Sequence, residues 1–110
     1  MVEDPEGVEK ADEIVAVEGL DAVFIGRGDL TAAYRDRESG APKVRAATLR
    51  IIEVCKRYNK PVFMLTATAK EAAEYAALGV SGFVTGSDQG FMRLAATATL
   101  REYKSAMHVP

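Results

Sequence analysis

Residues 23–31 read VFIGRGDLT, an apolar run that ends abruptly in two glycines, an arginine and an aspartate. The uninterrupted run Ala22 to Ile25 has no polar alternation, so it reads as a strand buried on both faces, the habit of a parallel sheet. It then presents Asp29 between Gly28 and Leu30. In parallel α/β folds the carboxyl ends of the strands and the loops after them carry the chemistry. The Arg27-Gly28-Asp29 string is read as a chance three-residue match and not as an adhesion motif.

The same grammar recurs on both sides of this stretch. Upstream, Asp4-Pro5 is a capping carboxylate followed by proline at a first helical position, and Val8, Ala11, Ile14 and Val15 follow at helical spacing, with Gly19 as the stop. Downstream, a short helical turn after Leu30 gives way to RDRESGAP (35–42), which reads as an exposed loop. Pro42 opens a long helix whose apolar face is Val44, Thr48, Ile51, Ile52 and Cys55. Asn59-Lys60-Pro61 breaks that helix, and Val62 to Leu65 form the next strand. Thr68 is placed to cap a helix over Ala69 to Leu78 that ends at Gly79. A third strand, about Gly82 to Thr85, runs into Gly86-Ser87-Asp88, where Asp88 is placed to cap a last helix from Gln89 to Ser105. Short apolar strands alternating with helices predict an α/β fold with a parallel sheet and right-handed crossovers.

Composition excludes several function classes. The 110 residues are 48% hydrophobic and 27% charged with a net charge of −2, which suits one soluble globular domain and makes no electrostatic case for nucleic acid or an anionic membrane. No apolar run approaches the roughly 20 residues of a membrane span. Glu3, Asp4 and Glu6 stand where a secretion signal would be basic, and the lone cysteine, Cys55, fits a reducing, cytoplasmic setting. Cys55 falls on an apolar helix face and reads as core filler. Met1-Val2-Glu3 stands where the last residues of a preceding strand would be, so the chain reads as the back half of something larger.

If Met1-Val2 is a strand end, Glu3 and Asp29 lie at the carboxyl ends of adjacent strands. Two carboxylates there can share a hard divalent cation, with water or substrate oxygens completing the shell. Gly26 and Gly28 would let the backbone turn sharply and bring free N–H groups to a ligand. The competing readings are structural: Asp29 as the cap of a helix from Leu30 to Tyr34, Glu3 as a first-turn carboxylate favoured by the helix dipole, and Asp88 as a cap.

Residues 2–31, VEDPEGVEKADEIVAVEGLDAVFIGRGDLT, resemble the metal-binding half of the HpcH/HpaI aldolase and citrate lyase family. Members carry I-E-T-x-E-G-V-x-N, then D-E-I, G-V-D and F-I-G-P-x-D-L-S. Here the match reads Val2 to Val8, Asp12-Glu13-Ile14, Gly19-Leu20-Asp21 and Phe24 to Thr31. GFVTGSD (82–88) resembles the family's last strand and loop, so the likeness runs from about residue 2 to 94. The resemblance implies that residues 1–110 are part of a (β/α)8 TIM barrel, about strands five to eight of a fold that needs about 250 residues. It implies a divalent metal (Mg, Mn or Co) held by Glu3 and Asp29, and a 2-oxo acid carboxylate held by the amides of Gly28 and Asp29. The implied reaction is reversible cleavage of a 4-hydroxy-2-oxo acid to pyruvate or a related keto acid and an aldehyde. Citrate lyase-like, malyl-CoA-type and decarboxylating chemistry are the alternatives.

Arg27 departs from the usual proline, which could loosen the loop or add a cation beside the substrate. Thr31 replaces serine, and Met1 replaces a substrate-contacting glutamine. The family's substrate-binding arginine and histidine base belong to the other half of the barrel, so the chain by itself is expected to be inactive. Homo-oligomers are expected, with Phe91 to Met107 against a partner. The competing function is a non-catalytic half-barrel that associates with itself through open strand edges.

Overall fold

The computed structural model describes residues 1–38 and 41–110. Ser39 and Gly40 of the expected loop lie outside the described residues. Three parallel strands, β1 (Val23–Ile25), β2 (Val62–Leu65) and β3 (Gly82–Val84), form a sheet in the order β1-β2-β3. Val23 pairs with Val62, and Met64 pairs with Phe83. Val2 adds a fourth parallel rung beside β1: its N–H donates to the Phe24 carbonyl at 2.9 Å, and its own carbonyl accepts from the Gly26 N–H at 2.9 Å. The strand end expected at Met1-Val2 is therefore present, and Glu3 stands directly after it.

The helices are α1 (Pro5–Glu9), α2 (Ala11–Val15), α3 (Arg27–Tyr34), α4 (Pro42–Arg57), α5 (Ala69–Ala77) and α6 (Asp88–Ala106). Asp4 caps α1 by accepting from the Gly7 N–H at 2.8 Å, and Thr68 caps α5 by accepting from the Glu71 N–H at 3.1 Å. The single helix expected from Pro5 onward is two, joined at Lys10. The cause is tertiary. Arg50 on α4 donates to the Val8 carbonyl at 3.0 Å and to the Glu9 carbonyl at 3.2 Å, taking acceptors that a continuous helix would use.

The core lies between the sheet and the helices on one of its faces. It gathers Val8, Ala11 and Val15 with Val23, Ile25, Val62 and Met64 of the strands and Val44, Ile51, Ile52 and Cys55 of α4. Burial pushes the Cys55 thiol up to about 11, which keeps it an inert neutral group at physiological pH. The strands are not buried on both faces. Phe63, Leu65 and Val84 point the other way and are exposed, Leu65 by 51%. A barrel stave buries its second face only against staves across the barrel, whereas here helices cover one side.

The last helix departs most from a compact shape. Every residue of α6 is exposed apart from the half-buried Gly90, and none is buried. The radius of gyration is 18.0 Å, against about 13 Å for a compact chain of this length. The α6 cap is Ser87, which accepts from the Gly90 N–H at 3.1 Å. Asp88, expected as the cap, is the first helical residue instead.

One residue of the expected exposed loop is buried. Asp36 is 3% exposed and accepts from the Lys43 N–H at 2.7 Å and the Val44 N–H at 3.0 Å. Ala41, the residue before α4, has no side chain that could cap it, so Asp36 supplies the acceptor from six residues upstream of Pro42. Asp36→Ala leaves two first-turn donors without an acceptor, one of them on the buried Val44. It should lower stability by about 2 kcal/mol in urea unfolding. A loss under about 0.5 kcal/mol, the size of a surface substitution, would mean the cap is dispensable.

Candidate metal and oxo-acid site

β1 ends at Ile25, and α3 begins two residues later at Arg27. Asp29 therefore sits in the first turn of α3, three residues after the cap position at Gly26. It is not the helix cap, since the residue at that position is a glycine without a side chain. The intrahelical ladder begins with the Leu30 N–H donating to the Gly26 carbonyl at 3.0 Å. The amides of Gly28 and Asp29 precede that first bond and are open donors of a helix N-terminus, a place suited to an anionic oxygen.

Glu3 reaches the same corner from the neighbouring stave. A Cβ built on Gly26 would stand 2.6 Å from the Glu3 Cβ and 3.2 Å from Glu3 Oε2. Gly26 is thus a point of close approach between the two strand ends. It does not serve a sharp turn, because its φ of −86° is open to any residue. Gly28 has open space where a Cβ would go. The half-buried Glu3 and the exposed Asp29 take no part in the ion pairs of the described residues.

A cleft of about 540 Å³ opens beside this corner, lined by Met1, Gly26, Arg27, Gly28, Asp29 and Leu65 among others, and Glu3 is not among its lining residues. Among the described residues no three carboxylate, imidazole or thiol groups converge as a ready-made cation cage. Two oxygen donors on adjacent strand ends fit a hard divalent cation that keeps several waters or takes substrate oxygens, and they fit a softer, nitrogen- or sulfur-seeking metal poorly.

Arg27 is committed to neighbours. Its Nη1 donates to Glu71 Oε1 on α5 at 2.7 Å, and its Nη2 donates to the Leu65 carbonyl at the end of β2 at 2.8 Å. The guanidinium carbon lies 5.1 Å from the centre of the Tyr75 ring. Glu71 Oε2 also accepts from the Ala67 N–H at 3.0 Å. The hydrogen bond from Arg27 holds the Glu71 carboxyl below the ordinary carboxylate range, against the opposing pull of its partial burial. Sequence reading places Arg27 beside the site but does not pair it with Glu71, which lies 44 residues away and whose local signal is the capping-box spacing Thr68-x-x-Glu71.

Comparison with known proteins follows the same lines. The family model for HpcH/HpaI aldolase/citrate lyase matches residues 1–95. The chain is 32% identical over 105 residues to a 5-keto-4-deoxy-D-glucarate aldolase of Enterobacter sp. (strain 638), covering 94% of this chain and 41% of that protein. It is 35% identical over 106 residues to a hydroxypyruvate/pyruvate aldolase of Delftia acidovorans, covering 96% of this chain and 39% of that one. The solved structure of the citrate synthase SbnG superposes with a TM-score of 0.87 at 30% identity, over 98% of this chain and 44% of that chain. The chain thus spans about two-fifths of the length of the curated relatives it matches. The chain belongs to the HpcH/HpaI aldolase/citrate lyase family, and its parallel staves with their helices form one part of the family's α/β barrel.

Proposed function

We propose that this member of the family supplies the metal-holding side of an aldolase site that cleaves 4-hydroxy-2-oxo acids to pyruvate, or a related keto acid, and an aldehyde. The observation that supports the reading is the close approach of Glu3 to Gly26, three residues before Asp29, secured by the Val2–Ile25 bridge. Glu3 and Asp29 are the residues that hold the divalent metal, magnesium, manganese or cobalt. When bound, such a cation supplies a Lewis acid that lowers the cost of negative charge on the keto oxygen as the carbon–carbon bond breaks. The open amides of Gly28 and Asp29 receive the carboxylate of the oxo acid and orient it. Phe24 and Leu65 give the cleft an apolar wall. The relatives' names include aldolases and a citrate synthase, so the shared element on which the proposal rests is the keto acid and not the aldehyde.

The reading includes a homo-oligomer built on α6, whose bare apolar surface favours it over a monomer, and a cytoplasmic setting in keeping with the reduced, buried Cys55. The test of the metal site is calorimetric titration of Mn²⁺ into the chain and into Glu3→Ala and Asp29→Ala. Binding to the parent and none to either variant is the expected result. Equal binding by parent and variants would move the site elsewhere. A parent that takes no Mn²⁺ would favour the non-catalytic half-barrel.

A further inference from the structure

We propose that Arg27 is a positioning residue that clasps the Gly28–Asp29 turn to the next stave, so that Asp29 is set against Glu3. The inference rests on the reading of those two carboxylates as the metal-holding pair. The turn is anchored on one side through Gly26, whose N–H donates to the Val2 carbonyl at 2.9 Å on the stave that carries Glu3. Arg27 anchors the other side. Its planar fork spans two acceptors at once, the Leu65 carbonyl at the end of β2 and Glu71 on α5. Glu71 holds the β2–α5 loop through the Ala67 amide, so the fork ties down a braced element and not a free side chain. Thr31 closes the near end, its hydroxyl donating to the Arg27 carbonyl at 2.8 Å.

Asp29 is thereby fixed between the staves on either side of β1. The arrangement leaves the Arg27 Nε buried with no hydrogen-bond partner among the described residues. A buried donor without a partner is a cost. Its persistence shows that the two Nη bonds and the Tyr75 stack dictate where the side chain lies. Gly28, with open space around it, gives the turn no stiffness of its own. Proline, favoured at a first helical position because its φ is preset and its missing N–H is not needed, would stiffen Arg27's position by a different route.

The test combines amide hydrogen exchange, which needs no metal, with Mn²⁺ titration of the full chain and of Arg27→Ala, Glu71→Gln and Arg27→Pro. In Arg27→Ala and Glu71→Gln the hydrogen-bonded amides of α3, residues 30–34, are expected to exchange faster, while those of α4 hold their rates. Mn²⁺ affinity should fall about tenfold, the range for a residue that orients a metal ligand. Arg27→Pro should keep Mn²⁺ affinity within about threefold of the parent while losing the clasp. Unchanged exchange at 30–34 in Arg27→Ala overturns the proposal, as does a variant Mn²⁺ affinity equal to that of a parent that binds the ion. A uniform speeding of exchange that includes α4 also overturns it, since that marks a general structural role. A parent that binds no Mn²⁺ refutes the metal reading, and the exchange pattern alone then decides the clasp.

Discussion

Gly26→Ala is expected to abolish Mn²⁺ binding as completely as the loss of Glu3 itself, although it adds one methyl group and removes no ligand. The reason is contact and not backbone strain. At φ −86° any residue is at ease, so alanine loses nothing conformationally. Its Cβ, however, would stand 2.6 Å from the Glu3 Cβ and 3.0 Å from the Met1 sulfur. The methionine tail can swing away, but the Glu3 Cβ is fixed by its own backbone. Relief requires the Val2–Glu3 strand end to retreat, which lengthens the Gly26 to Val2 hydrogen bond and carries the Glu3 carboxylate away from Asp29. Overpacking of this kind costs about 1–3 kcal/mol of stability. Gly28→Ala is the internal contrast. Its Cβ meets nothing within 4 Å, and it lies in the first turn of a helix, where alanine is the better former by up to about 1 kcal/mol. That variant should unfold at equal or higher urea and still bind Mn²⁺. If Gly26→Ala binds the ion like the parent, Glu3 is not a ligand in the position described.

The second large effect concerns association. At micromolar concentration the chain is expected to scatter light as a dimer or larger species and not as an 11.8 kDa monomer. Met92, Leu100 and Tyr103 fall along one side of α6 with Met107 just past its end, while Phe91 and Leu94 occupy another side, and all six are more than half exposed. A helix apolar on more than one side is built to be covered. Burying a large apolar side chain contributes about 1.5–3 kcal/mol, so four such side chains can exceed the lower estimates of the association cost, which begin near 4 kcal/mol. The sheet adds to this drive, since β3 has an unpaired edge and Phe63, Leu65 and Val84 line an uncovered face. Leu100→Glu combined with Tyr103→Glu places two charges on the longer stripe and should weaken self-association at least a hundredfold, on the order of 3 kcal/mol. Helical content should be retained, because glutamate is a good helix former. A parent that elutes and scatters as a clean monomer would refute the expectation outright. A double variant that still associates would shift the contact from α6 to the sheet.

Much of this protein was legible in its residues because the signals involved act within a few positions of one another. Asp4 and Thr68 mark helix starts through bonds that span three residues, Pro5 and Pro42 mark them through a preset φ, and the structure puts helices there. Val62 to Leu65 is a strand with the expected bounds. The face of Val44, Thr48, Ile51, Ile52 and Cys55 is buried as its spacing requires. The motif from Val2 to Thr31 pointed to the family, and through it to Glu3 and Asp29, because family motifs preserve residue types around a fixed chemistry. Tertiary structure decided what no local spacing encodes. It broke the first helix at Lys10 through Arg50, forty-one residues beyond the Glu9 carbonyl, and it drew Asp36 out of solvent to cap α4. It placed Asp29 inside α3 and left one face of the sheet bare. It also turned Arg27 toward Glu71, across a strand and two helices. The Arg50 and Arg27 contacts follow from parallel crossovers, which bring residues 41 to 44 positions apart side by side, whereas the Asp36 cap is made across the short loop before α4. A side chain's partner is then settled by that juxtaposition and not by the sequence around it.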